Sequence, residues 1–152
     1  MLSVPAYLVH EDTPRWDWSL KLVLGAVLAL TFGTGVWLLF YDVSAAMAMF
    51  GITLFDALLF YFIVPRRYQI YNTKVRIVLG GPFGMDIPLA TIKEARPAPS
   101  SYSFGYWGLR FATSSSGIVE IIRRKGWNVV VSPSDRETFL ARLSEALTTG
   151  QR

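Results

Sequence analysis

The apolar positions of this chain fall into two regimes, an unbroken block near the start and an alternating pattern after it. From Leu22 to Tyr41 there is no charged residue, and twenty residues rising about 1.5 Å each give about 30 Å, the hydrocarbon thickness of a bilayer. A second block, Val43 to Val64, holds only Asp56 as a charge and is closed by Pro65-Arg66-Arg67, a helix breaker followed by two basic anchors. The join at Asp42 is short enough only for a tight helical hairpin. A soluble two-helix core would keep a polar stripe on each helix, and the first block has none. A cleaved signal peptide fits poorly, because Glu11, Asp12 and Asp17 precede the block and the block outruns a signal core. The pattern therefore predicts a retained two-helix transmembrane hairpin over residues 22–65, after an N-terminal tail of residues 1–21.

From residue 66 the pattern shifts to short alternating runs. Val75, Ile77 and Leu79 alternate with Lys74 and Arg76, as in a half-buried strand, and Tyr68 to Tyr71 with the Asn72-Thr73 turn completes a hairpin. Further strands are expected over Met85 to Leu89, Ile92 to Arg96, Leu109 to Thr113, Ile118 to Arg123 and Trp127 to Val131, each bounded by Gly, Pro or Ser. That makes about seven strands. Ser132-Pro133 reads as an N-cap with Pro at the first helical position, and Ser134 with Glu137 as a capping box. Phe139, Leu140, Leu143, Ala146 and Leu147 then recur at helical spacing, with Gly150 as the stop. Residues 66–149 thus form one small, mainly-β domain with a C-terminal helix.

The order of these strands carries a resemblance. So do three segments: Ile87-Pro88-Leu89-Ala90-Thr91-Ile92 after a Gly-rich turn, Gly105-Tyr106-Trp107-Gly108-Leu109-Arg110, and Val131-Ser132-Pro133 leading into the helix. Together they resemble bacterial PH-like (pleckstrin-homology-like) domain proteins, many of which attach such a domain to a transmembrane hairpin. The likeness covers about residues 66 to 147 and extends to the hairpin in layout only. It implies a PH-like barrel of two packed sheets with a C-terminal helix, and it constrains fold far more than activity.

Charge adds orientation. Residues 66–152 hold 13 Lys plus Arg against 6 Asp plus Glu, while residues 1–65 hold 2 against 5. Arg15 and Lys21 precede the hairpin, Arg66, Arg67, Lys74 and Arg76 follow it, and the connection has none, which predicts both termini on the cytoplasmic face of the cell inner membrane. Trp16, Trp18, Trp37, Tyr41, Tyr61 and Tyr68 fall near the expected interfaces. The basic excess beside acidic headgroups makes Arg66, Arg67, Lys74, Arg76, Arg123, Arg124 and Lys125 candidate contacts with lipid headgroups or a partner, with Arg66 and Arg67 read first as topological anchors. Eukaryotic PH domains that bind phosphoinositides place a Lys and an Arg-x-Arg around their first hairpin. Lys74-Val75-Arg76 matches this only in part, so nonspecific attraction to acidic lipid is expected over inositol-lipid recognition.

Within the hairpin, Gly25, Ala29 and Gly33 form a small-residue stripe for helix packing, inside the hairpin against Ala45, Ala48 or Gly51, or against a partner chain. Asp56 is the ionisable group at membrane depth. Its functional reading is a proton relay or a contact with a partner helix, and with no second intramembrane charge to relay to, a carboxyl facing Thr31 or Thr34 is the expected arrangement. The aromatics Tyr102, Phe104, Tyr106, Trp107 and Phe111 read as core and loop packing, with Pro97 to Trp107 as an alternative partner-binding loop.

Catalytic signals are thin. The chain has no cysteine and one histidine, His10, which removes thiolate chemistry and most histidine-dependent sites. Gly80-Gly81-Pro82-Phe83-Gly84 lacks the Lys-Ser/Thr of a phosphate loop and reads as a turn, and His10 beside Glu11 and Asp12 in a tail falls short of a metal site. No enzyme activity, cofactor, metal, nucleic acid or small-molecule substrate is expected. The sequence predicts an integral membrane module that binds protein partners, as a homo-oligomer or with other proteins, or acidic headgroups. The alternative is a structural accessory subunit of a larger membrane complex.

Overall fold

The computed structural model describes residues 5–103 and 105–149. In chain order, β1 (Leu8–Asp12) leads into α1 (Trp18–Leu38) and α2 (Val43–Ile63), and then β2 (Arg67–Tyr71), β3 (Lys74–Val78) and β4 (Gly84–Pro88) follow. A short 3-10 turn (Leu89–Thr91) passes to β5 (Ile92–Pro97), and β6 (Leu109–Phe111), β7 (Val119–Arg123), β8 (Val129–Val131) and α3 (Arg136–Thr149) complete the fold. The strands form two four-stranded sheets, ordered β1-β2-β3-β4 and β5-β7-β8-β6. All pairings are antiparallel except β6 with β8.

All seven expected strands are present, within a residue or two of their predicted ends. Strict alternation explains this: Tyr68, Ile70, Val75, Ile77 and Ile87 from one sheet and Val119, Ile121, Val129 and Val131 from the other are buried in one core. Phe139, Leu143 and Ala146 of α3 close that core over β5, β1 and β2. Fully burying each such side chain contributes about 1.5–3 kcal/mol.

The eighth strand corrects the reading of residues 1–21 as a tail. Leu8–Asp12 lies before the hairpin yet pairs antiparallel with β2, which lies after it, with Glu11 opposite Gln69 and Asp12 opposite Tyr68. Leu-Val-His-Glu-Asp sets two apolar residues before three polar ones, so it offers no alternation to read, and its buried position is the polar Asp12. The hairpin is thus inserted between two neighbouring strands of one sheet.

Both helices have 21 residues, length for about 31 Å, and α1 starts at Trp18 rather than Leu22 because Ser19 and Lys21 continue its first turn. Almost all of their apolar surface is exposed, including Leu22, Leu30, Phe32, Trp37, Met47, Leu54 and Phe55. Such a surface is unfavourable in water, and the two helices are long and apolar enough to cross a membrane. They meet where Phe32 packs on Phe50, with ring centroids 5.6 Å apart, where Phe50 also covers Gly35, and at the buried Ala46. Asp42 caps α2, accepting from the Ala45 N–H at 3.1 Å.

The α3 start also differs from the expected cap. Asp135 is the capping residue, its carboxylate accepting from the Thr138 N–H and hydroxyl at 3.1 and 2.7 Å. Ser132 and Ser134 are committed elsewhere: the Ser132 hydroxyl accepts from the Thr113 N–H, and the Ser134 hydroxyl donates to Asp12. Gly150, the expected stop, lies outside the described residues.

Candidate functional site

The strand registers give the β domain two poles. At one lie Asp12, Arg67, Val78 and Gly84 of the first sheet and Pro97, Phe111, Val119 and Val131 of the second. Both ends of the hairpin attach here. At the other lie Leu8, Tyr71, Lys74 and Pro88, then Ile92, Leu109, Arg123 and Val129, together with the C-terminal end of α3 beside Tyr7 and Thr73.

The attachment at α1 is a polar clamp. Asp17 occupies the N-cap position but does not cap its own helix; its carboxylate accepts from the Ser114 hydroxyl and from the Ser115 N–H and hydroxyl, each at 2.6 Å. These bonds hold its pKa below the ordinary carboxylate value. Alongside, the Arg15 N–H donates to the Ser132 carbonyl at 2.7 Å and the Thr113 hydroxyl donates to the Arg15 carbonyl. Asp12 accepts from the Thr13 and Asp135 N–H groups as well as from Ser134.

The attachment at α2 is mostly apolar. The β3–β4 turn presses against the last turn of α2 so closely that a Cβ on Gly80 would collide with the Tyr61 carbonyl oxygen. Phe62 and Phe83 meet edge to face at 5.3 Å, and the Arg66 guanidinium lies 4.3 Å from the Tyr61 ring centre. The glycine-rich segment is therefore a turn, as its composition suggests, with a docking role the sequence gives no sign of. Gly81 takes φ +63°, which only glycine adopts without strain.

The predicted basic residues do not gather into one surface. Arg66 and Arg67 stand at the hairpin pole, where Arg67 pairs with Glu11 at 3.2 Å. Lys74 lies at the opposite pole, paired with Asp86 at 2.6 Å, and Arg76 reaches the same carboxylate at 3.8 Å from mid-strand. Arg123, Arg124 and Lys125 form the β7–β8 turn at the opposite pole, and among the described residues they make no ion pair.

Other expectations meet structural corrections. Tyr68 is not at a membrane interface but fully buried, its hydroxyl donating to the Phe111 carbonyl, and burial pushes its pKa up to about 12. A Cβ placed on Gly25, Gly33 or Gly51 would meet no atom within 4 Å, so the Gly25, Ala29, Gly33 stripe faces outward instead of packing inside the hairpin. Asp56 makes no hydrogen bond among the described residues; the Thr31 hydroxyl is instead committed to the Val27 and Leu28 carbonyls of its own helix. His10, Glu11 and Asp12 diverge because they alternate along a strand, and Glu11 is taken by Arg67 and Gln69.

The aromatic segment divides. Tyr102 and Tyr106 pack together at 5.0 Å over a small cluster of Ala112, Ile118 and Val130, and the Tyr106 hydroxyl donates to the buried Glu120 at 2.9 Å. Arg96 holds the other oxygen of Glu120 at 2.9 Å. Phe111 packs against the core. Trp107, in contrast, is 91% exposed, and Phe104 lies outside the described residues.

The model of the family described as Bacterial PH domain matches residues 66–147, while no curated protein and no solved structure matches the chain. The matched span begins at the β2 side of the hairpin, so β1 and the segment from Asp12 to Asp17 lie outside it. A match over more than half of the chain, two open sheets and a closing C-terminal helix place the chain in the bacterial PH domain family.

Proposed function

We propose that this chain is an integral membrane binding and assembly module, in which the hairpin anchors a PH-like domain and fixes which pole meets the bilayer. The observation that carries the reading is the insertion: both ends of the hairpin join the same pole, held by the Asp17 clamp on one side and by the Gly80 contact on the other. A domain tethered at a fixed height gains effective concentration for weak contacts. Both termini lie on the cytoplasmic side in this reading, as the Lys and Arg distribution favours. Arg66 and Arg67 at the hairpin pole contact acidic headgroups of the same bilayer, and the opposite pole is left for a protein partner. The role is one of binding rather than catalysis, as is general for PH domains.

The test is native mass spectrometry of the full chain released from membranes in mild detergent. The reading expects retained anionic lipid or a stoichiometric protein partner. It also expects the double substitution Arg66→Gln, Arg67→Gln to cut lipid retention by about thirtyfold, from about 1 kcal/mol for each of the two cations. A solitary chain indifferent to lipid charge would overturn it. The accessory-subunit reading has its own support in the open Gly25, Ala29, Gly33 face; it expects a partner lost on Gly25→Leu while the β domain stays folded.

A further inference from the structure

We infer that the pole opposite the hairpin is a docking surface for an acidic segment of a partner protein, built from Trp107, Trp127 and the Arg123-Arg124-Lys125 turn. Two loops meet there. The Leu109 N–H donates to the Asn128 carbonyl at 2.9 Å, and Gly108 sits close enough to that oxygen that a Cβ would stand 2.8 Å away, so Trp107 and Trp127 are carried by adjoining backbone. Their side chains are 91% and 59% exposed. Two exposed Trp residues on adjoining loops make an apolar patch of the kind that marks interaction sites, and Trp and Arg dominate interface hot spots.

The charges beside them are unspent. Cations elsewhere in the β domain are often matched, Arg67 with Glu11, Lys74 with Asp86 and Arg96 with Glu120, whereas Arg123, Arg124 and Lys125 have no carboxylate among the described residues. Glu94, the carboxylate closest in register, opposite Ile122, pairs with none of them. Arg123 is also held in place: its guanidinium lies against Gly126, 3.1 Å from where a Cβ would be, and Gly126 takes φ +94° to permit the turn. Its Nε is buried without a hydrogen-bond partner. An unmatched cation in a turn whose adjoining loops carry two exposed Trp residues suits a carboxylate carried on an apolar segment.

The position selects the occupant. The turn stands four residues along β7 from Val119, about 13 Å from the end of the sheet that receives the hairpin, so it faces away from the membrane anchor. A nucleic acid would need a basic groove tracking its backbone, and here the three cations share one tight turn. An acidic protein segment fits both the small footprint and the aromatic anchors.

This inference rests on the anchored-module reading, but the two fail separately. The full chain is placed in nanodiscs of neutral phosphatidylcholine, and binding is measured for a fluorescent short peptide alternating Glu and Leu. The expected result is salt-sensitive binding that falls by about tenfold or more in Trp107→Ala and in the double substitution Arg124→Glu, Lys125→Glu, and is unchanged in Arg142→Gln, an exposed cation of α3 outside this surface. A Lys-for-Glu version of the peptide should not bind. No binding at low salt, or binding indifferent to Trp107, would overturn the inference and leave the anchored-module reading standing. Tighter binding of single-stranded DNA or of anionic vesicles at this pole would overturn the choice of an acidic protein segment.

Discussion

Asp17 shows how far a single residue reaches in this fold. In the sequence it serves only to argue against a signal peptide, because its partners Ser114 and Ser115 lie almost a hundred positions away and a serine run has no local periodicity to point back to it. Asp17→Ala removes three charge-assisted hydrogen bonds in a partly solvated site and is expected to cost about 1–2 kcal/mol, read as a lower Tm of the β domain by near-UV circular dichroism in detergent. The same group sets an acid limit. Its folded pKa is below the unfolded value of 3.8, so its contribution is present above that pH and is lost as pH falls through the folded value. Tyr68 works in the opposite direction. Its pKa is raised from 10.0 to about 12, so its contribution is complete below pH 10 and is withdrawn as pH rises toward 12. A pH titration of unfolding should therefore show an alkaline decline that Tyr68→Phe reduces, with the phenylalanine variant about 1 kcal/mol less stable at neutral pH for want of the bond to the Phe111 carbonyl.

At the scale of elements, legibility followed pattern length. β2, β3, β4 and β6 carry an alternating apolar register, β7 and β8 are marked by Val and Ile runs between turn residues, and α1 and α2 announce themselves by uninterrupted apolar length. β1 is missed because Leu-Val-His-Glu-Asp does not alternate, two apolar residues being followed by three polar ones with Asp12 as the buried position, and the α3 cap is displaced because Ser132 and Ser134 are bonded to Thr113 and Asp12 rather than to the helix. The β3–β4 turn is the element whose contacts the sequence hides most. Gly80 needs no side chain for its turn alone, but any Cβ collides with the backbone of α2. Gly80→Ala is expected to cost about 1–3 kcal/mol and to loosen the domain from the hairpin, measured as faster protease cleavage at Pro65 to Arg67. Gly25→Ala, with open space around its Cβ, should leave the same assay unchanged.

Over the whole molecule, the acidic stretch before residue 66 and the basic stretch after it are joined rather than separate. Glu11 at the end of the first meets Arg67 and Gln69 at the start of the second, and the hairpin between them is an insertion in the β domain whose helices are long and apolar enough to cross a membrane. That topology orients the domain, leaving the basic β7–β8 turn remote from the anchor. It also means that the segment before the hairpin belongs to the domain. The most direct measurement uses the absence of native cysteine: Glu11→Cys with Gln69→Cys places two thiols at positions paired in register, whose native side chains are 2.6 Å apart. After mild oxidation in native membranes, the insertion predicts an efficient disulfide within each chain. Disulfides formed only between chains, or no disulfide in a chain whose β domain remains folded, would contradict it.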